Sequence, residues 1–195
     1  MLGLFAAFGL AAATGLNAYL PLLIIGLLAR YTHLVVLRAP WSALTHPLVL
    51  VFVGVLLAIE FTVDKIPAVD TVNDVIQTFF RPAAGAILFA ASGNVISNLS
   101  PVLAMICGLF IAGGVHTAKA VARPAVTAST LGAANPVVSL AEDAVSGATT
   151  VLAVVAPAVL AALVLLAIYL IVRRRHARKN RTHRPPPAGK TGPSR

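Results

Sequence analysis

Apolar residues run along this chain in long blocks, and the polar residues that interrupt them are confined to a few places. Leu2 to Ala29 carries no charge. Drawn as one straight helix it would reach about 42 Å at ~1.5 Å per residue, more than the roughly 30 Å of a hydrocarbon core. It therefore tilts or breaks. A break would fall at Thr14-Gly15-Leu16-Asn17 followed by Pro21, where Gly and Pro loosen a helix and the Asn17 amide satisfies freed backbone groups; the alternative is one long tilted helix with Gly9, Ala13 and Gly15 packed against a neighbour. A connector, Arg30 to His46, carries Arg30, Arg38, Tyr31 and Trp41, the residue types of a membrane interface. Pro47 to Phe61 makes a second span, with Glu60 at its end.

From Ile66 the pattern changes. Ile66, Val69, Val72, Ile76, Phe79 and Phe80 recur at helical spacing while Asp70, Asp74, Gln77 and Arg81 form the opposite stripe. This predicts an amphipathic helix opened by Pro67 and closed by Pro82, lying in the interface plane or lining a cavity. A third span, Pro82 to Leu99, is rich in Ala and Gly, with Ser92, Asn94, Ser97 and Asn98 in its second half. A fourth, Val102 to about Val121, leads into His116, Lys119 and Arg123 at i, i+3 and i+7 on one helix face. Pro124 to Gly147 is full of helix punctuation: it reads as an extracytoplasmic loop, or as a re-entrant segment whose half-helix starts at Asn135-Pro136. Ala148 to Val172 is the last span, with Pro157 as a kink. The fold class is therefore an all-α, polytopic transmembrane helix bundle of about five spans, with an interfacial amphipathic helix and broken or re-entrant segments.

Composition agrees with this reading. Hydrophobic residues make up 58% of the chain and charged ones 11%, well below the roughly one quarter of a soluble domain. The net charge of +9 resides in the tail: residues 1 to 172 hold Arg30, Arg38, Lys65, Arg81, Lys119 and Arg123 against all six acidic residues. Nucleic acid is thereby set aside as a partner. Residues 173–195 are polybasic and Pro-rich, and read as a disordered tail beyond a membrane-embedded domain of residues 1–172. That tail binds anionic lipid headgroups, and the positive-inside rule puts it in the cytoplasm. The orientation count assumes that the first stretch crosses the bilayer once. Cys107 is the one cysteine and the histidines are dispersed, which excludes an intramolecular disulfide and a thiolate metal cluster.

Candidate chemistry lies in the acidic residues. Glu60 and Asp64 are four apart, as are Asp70 and Asp74, so each pair shares a helix face and repels unless it holds a cation, shares a proton or meets basic partners. Lys65, Arg81, His116, Lys119 and Arg123 are those partners, and Glu142 and Asp143 form a second acidic pair. The minimal proposal is a salt-bridged cluster joining the second and fourth spans, with Asn17 and Asn135 as polar groups at helix breaks. A plain solvated loop is the alternative, and depth in the membrane decides between them.

Five motifs carry a family resemblance: GLNAYLPLL at 15 to 23, E-x-x-x-D-K-x-P-x-x-D from Glu60 to Asp70, RPAAGA at 81 to 86, HTAKAVARP at 116 to 124 and NPVVSLAED at 135 to 143. Together they resemble an uncharacterised family of bacterial integral membrane proteins, over about residues 3 to 170. The resemblance implies a bacterial inner-membrane protein and supplies no activity. Three functions compete. One is a small transporter or channel whose cluster binds or relays protons or small ions. Another is a metal-dependent enzyme on a phosphorylated lipid, with Mg²⁺ as cofactor on Asp70 and Asp74. The third is a structural or accessory membrane protein. The transporter is favoured, with no cofactor expected for it, and a homo-oligomer is left open.

Overall fold

The computed structural model of the chain describes residues 2–63, 67–92 and 99–182, and of these not the side chains of 2, 67–72, 74 and 175–182. Seven α-helices are found among the described residues: α1 (Leu2–Leu16), α2 (Tyr19–Tyr31), α3 (Pro47–Val63), α4 (Pro67–Ala91), α5 (Pro101–Thr130), α6 (Asn135–Val155) and α7 (Pro157–Thr182). A short 3-10 turn, Trp41–Thr45, precedes α3, and no strand is present among the described residues. Proline marks the starts of α3, α4, α5 and α7 and the second residue of α6, where its missing N–H costs no intrahelical bond. At α5 the Ser100 hydroxyl adds a cap, accepting from the Leu103 N–H at 3.2 Å.

Burial runs opposite to that of a soluble protein. The buried side of α6 is Asn135, Ser139, Asp143, Ser146, Thr150 and Ala153, one stripe at helical spacing, while Val137, Leu140, Val145, Val151 and Val155 are exposed. In α5 the inward stripe is Ala104, Gly108, Ala112, His116, Lys119 and Arg123. Polar groups inside and branched aliphatics outside suit a hydrocarbon solvent. Pro101–Thr130, Asn135–Val155 and Pro157–Arg174 are each long and apolar enough to cross a membrane, and α1, α2, α3 and the second half of α4 are shorter apolar helices. The molecule is a helical membrane bundle.

The first stretch does not cross as one helix. Along α6, α1 runs antiparallel: Gly9 lies against Ala153, the Ser146 hydroxyl donates to the Ala13 carbonyl at 2.9 Å, and Asn17 reaches Asp143. In contrast α2 runs parallel to α6, with Leu20 beside Gly147 and Ile25 sharing a cavity with Ala153 and Val154. The two helices thus form a V with Asn17 at its apex. At ~1.5 Å per residue their arms reach about 22 Å and 20 Å, each short of a ~30 Å core. Residues 2–31 therefore do not supply the single crossing on which the sequence-based orientation count depends.

Other boundaries differ too. Pro82 does not end a helix: the amphipathic stretch and the span expected after it join as α4, which runs through Pro82 to Ala91. In the same way α5 continues through Pro124 to Thr130. Membrane helices tolerate internal proline because neighbouring groups re-satisfy the freed carbonyls. Residues 135–155 are neither loop nor short half-helix but the whole of α6, and Pro157 separates α6 from α7 instead of kinking one helix. The predicted polar residues Asn94, Ser97 and Asn98 lie outside the described residues. Closest packing is between α4 and α5, where a Cβ on Gly85 would lie 2.8 Å from the Gly108 carbonyl oxygen, so these backbones meet as only glycine allows.

The chain divides into a unit ending at Leu160 and a second from Ala161. Its described part is the remainder of α7, whose Leu163 to Val172 stretch is apolar and exposed; helix continues through basic residues to Thr182, past the start expected for a disordered tail at residue 173.

Candidate functional site

Polar groups from six helices gather around the Asn17 apex. Glu60 on α3 and Arg81 on α4 are 2% and 0% exposed, and Arg81 Nη2 donates to Glu60 Oε1 at 3.1 Å. Neither belongs to a solvated loop. On its other side Arg81 Nη1 lies 3.0 Å from Nδ1 of buried His116 on α5, and His116 Nε2 lies 3.1 Å from the Thr78 hydroxyl. A guanidinium can only donate, so Nδ1 accepts and the proton sits on Nε2, which donates to Thr78. His116 is thus the neutral Nε2–H tautomer in this arrangement. Thr78 is exposed and, with Pro82, Gly113, Gly114, His116 and Thr117, lines a cavity of about 340 Å³.

A second group sits one turn further along α5. Lys119 Nζ and Arg123 Nη2 converge on Glu142 Oε2 at 2.8 and 3.0 Å. Lys119 also donates to the Leu16 carbonyl at 3.3 Å, binding an acceptor that the end of α1 leaves without an intrahelical donor. Asn17 serves both arms of the V. Its Oδ1 accepts from the Tyr19 and Leu20 N–H groups at 3.0 and 2.8 Å, capping α2, and its Nδ2 donates to Asp143 Oδ1 at 2.9 Å. The two groups are adjacent, since His116 and Lys119 lie one turn apart on the buried stripe of α5. Among the described side chains Arg81, Lys119 and Arg123 face Glu60, Glu142 and Asp143, a balance of charge that burial demands.

Of the residues singled out in the sequence, Glu60, Arg81, His116, Lys119, Arg123, Glu142, Asp143 and Asn17 come together. Asn135 does not join them: it accepts from Thr127 at 3.1 Å at the start of α6. Asp64 and Lys65 lie outside the described residues, as do the side chains of Asp70 and Asp74, the pair expected to hold Mg²⁺. Among the described residues no three His, Cys, Asp or Glu side chains gather in a way that could hold a metal ion. Pattern reading missed Thr78 and Tyr19 and did not count Gln77 among the site residues. Gln77 on α4 and Tyr19 on α2 are 2% and 7% exposed, and the Tyr19 ring rests against Phe80 at a centroid distance of 6.2 Å. Gln77 was visible as a member of the polar stripe of α4, whereas nothing in the sequence sets Tyr19 apart from an interfacial tyrosine.

A family model described as a domain of unknown function, DUF4126, matches residues 4–176. No curated protein and no solved structure matches the chain.

Proposed function

The chain belongs to that family of unknown function, and from its site we propose that it is a small membrane transporter or channel that relays protons or small ions through the buried cluster. The observation that carries this reading is the unbroken chain Glu60, Arg81, His116, Thr78, which leads from a carboxylate 2% exposed to an exposed hydroxyl. Ionisable groups inside a membrane domain cost about 2.5–3.5 kcal/mol each at the bilayer centre on insertion scales, so their retention favours a role in ion or proton movement. Two short helices that meet at a polar apex are also the architecture in which transporters build midplane sites.

The geometry supplies a switch. A proton arriving on His116 must occupy Nδ1, which then no longer accepts from Arg81 Nη1. Protonated His116 and the Arg81–His116 hydrogen bond exclude each other, so each proton taken up releases the guanidinium toward Glu60, and each proton given up recovers it. We place the protein in the bacterial cytoplasmic membrane, with the basic residues after Val172 supporting a cytoplasmic C-terminus.

The test is proton flux in proteoliposomes carrying an internal pH dye under an imposed potential. Wild type is expected to conduct and His116→Ala and Glu60→Gln to lose most of that flux while remaining folded. Absence of proton, Na⁺ and K⁺ flux in wild type would sink the transport reading and leave the ion pairs a structural role; lipid turnover dependent on Mg²⁺ would replace it with the enzyme.

A further inference from the structure

Toward the open end of the V, away from Asn17, lies a cavity of about 300 Å³. Leu34 to Leu37, a non-helical stretch after α2, lines it together with Leu10 of α1, Ile25 of α2, Leu88 of α4 and Ala153 of α6. Val35 and Leu37 pack against the core, whereas Leu34 and Val36 are 64% and 70% exposed, so the cavity reaches the surface of the bundle. No charged side chain lines it among the described residues, and its one hydroxyl, Ser92, already donates to the Leu88 carbonyl at 2.8 Å. Ligand pockets run from about 300 to 1,000 Å³, so this one has room for an occupant, and its lining selects an apolar one.

Ala91 belongs to this cavity and also to a second one, of about 220 Å³, whose lining includes Arg38, Trp41, Leu99 and Pro101. The two spaces therefore adjoin. The Arg38 carbonyl accepts from the Ser42 N–H at 3.1 Å, which holds Arg38 beside the turn that carries Trp41. Among the described residues neither the Arg38 guanidinium nor the Trp41 indole N–H has a hydrogen-bond or ionic partner, and no acidic side chain lines the second cavity. Both groups can only donate, and the guanidinium is permanently charged, so the complementary ligand is an anion with several acceptor oxygens. Pro101 opens α5, and the positive end of that helix adds a field of the same sign. Arg and Trp where α4 ends and α5 begins also suit the headgroup layer of a bilayer.

We propose that the two cavities together bind one anionic phospholipid, its phosphodiester against Arg38 and Trp41 and one acyl chain in the apolar space between the arms of the V. A cationic, donor-only cavity joined at one residue to an apolar cavity matches a molecule whose charged head and hydrocarbon chain are joined in the same way. Arg binds phosphate oxygens through paired N–H groups, and basic pockets between membrane helices hold anionic headgroups. The site is separate from the buried cluster: His116 lies 15 residues beyond Pro101, about 22 Å along α5 at ~1.5 Å per residue. Lipid binding here thus stands without the relay, and its bound chain fills the V where α1 and α2 leave each other uncovered.

Trp41 is the one tryptophan of the chain, so its fluorescence reports on this site alone. The experiment titrates the full-length protein in detergent micelles with phosphatidylglycerol brominated on its acyl chains, and in parallel with brominated phosphatidylcholine. Saturable quenching by the phosphatidylglycerol is expected at mole fractions where the phosphatidylcholine quenches weakly. Arg38→Gln, an exposed change, is expected to fold as wild type and to weaken the binding about fivefold. Ala6→Leu narrows the apolar cavity and is expected to weaken it with the charge intact. Equal quenching by the two lipids, or binding unchanged in Arg38→Gln, overturns the headgroup site; binding unchanged in a folded Ala6→Leu overturns the place of the chain. Thermal unfolding separates a lipid from a free anion, because a ligand of the folded state raises its stability. If millimolar inorganic phosphate stabilises the wild type as much as phosphatidylglycerol does, and Arg38→Gln loses both effects, the ligand is a free anion and the lipid is overturned.

Discussion

The two halves of the buried cluster are built from the same residue types and arranged on different principles. In the first, among the described side chains, the buried Arg81 guanidinium donates to a carboxylate and to a neutral imidazole, which in turn meets the exposed Thr78 hydroxyl. In the second, two cations share one oxygen of Glu142, whose side chain is 16% exposed, and the neighbouring contacts go to backbone or amide groups at the V. The first runs as a line from the buried Glu60 to the exposed Thr78; the second is a clamp. A line passes a change along, whereas a clamp resists one, so the Glu60–Arg81–His116 side carries the function and the Lys119–Arg123–Glu142 side holds the α1–α2 hairpin in place.

Removing a charge from each half puts that division at risk. Arg81→Met takes the guanidinium away from buried Glu60, and breaking a buried pair in this way costs about 3–5 kcal/mol. Thermal unfolding in detergent should show the largest loss of stability here, with much of it recovered in the Glu60→Leu/Arg81→Met double variant, from which no flux is expected. A double variant that conducts would mean that the line is only a structural bond. Next comes Asn17→Ala. It removes the cap of α2, worth about 0.5–2 kcal/mol, and takes a partner from Asp143, so a total near 2 kcal/mol is expected in the same assay. Glu142→Gln should cost about 1 kcal/mol, because the amide oxygen can still accept from one of the two cations and Lys119 keeps the Leu16 carbonyl. If Glu142→Gln were more damaging than Arg81→Met, the roles assigned to line and clamp would be reversed.

How much of this was legible beforehand follows from periodicity. His116, Lys119 and Arg123 fall on one face by spacing alone, and that face is buried; Asn17 was readable as a break because Gly and Pro flank it. Glu142 and Asp143 were read as one acidic pair, yet adjacent residues on a 3.6-residue helix point about 100° apart, and the two carboxylates serve different partners, α5 on one side and the V on the other. Pro82 and Pro124 misled in another way: each follows an arginine that packing holds in the bundle, and tertiary contacts carry the helix past a residue that ends helices in water. The V itself was beyond pattern reading. Two apolar arms have the same sequence signature whether they continue straight or fold back; partners on α6, which no local rule names, decide between them.

The smallest expected change in stability gives the sharpest test of the line. Thr78→Val keeps the shape of the side chain and removes the oxygen that accepts from His116 Nε2. Thr78 is exposed, and a single hydrogen bond is worth about 0.5–1.5 kcal/mol, so unfolding should shift by no more than that. In the wild type, ¹⁵N NMR of the histidine ring should show Nε2 protonated and Nδ1 bare. If the ring only holds Arg81, Thr78→Val leaves flux intact, because Nδ1 still accepts from the guanidinium. If the ring passes protons, the variant interrupts the exit from Nε2 and flux falls several-fold with stability almost unchanged. An effect on rate that far exceeds the effect on stability is what separates a relay from a clamp, and no residue of the Glu142 side should produce it.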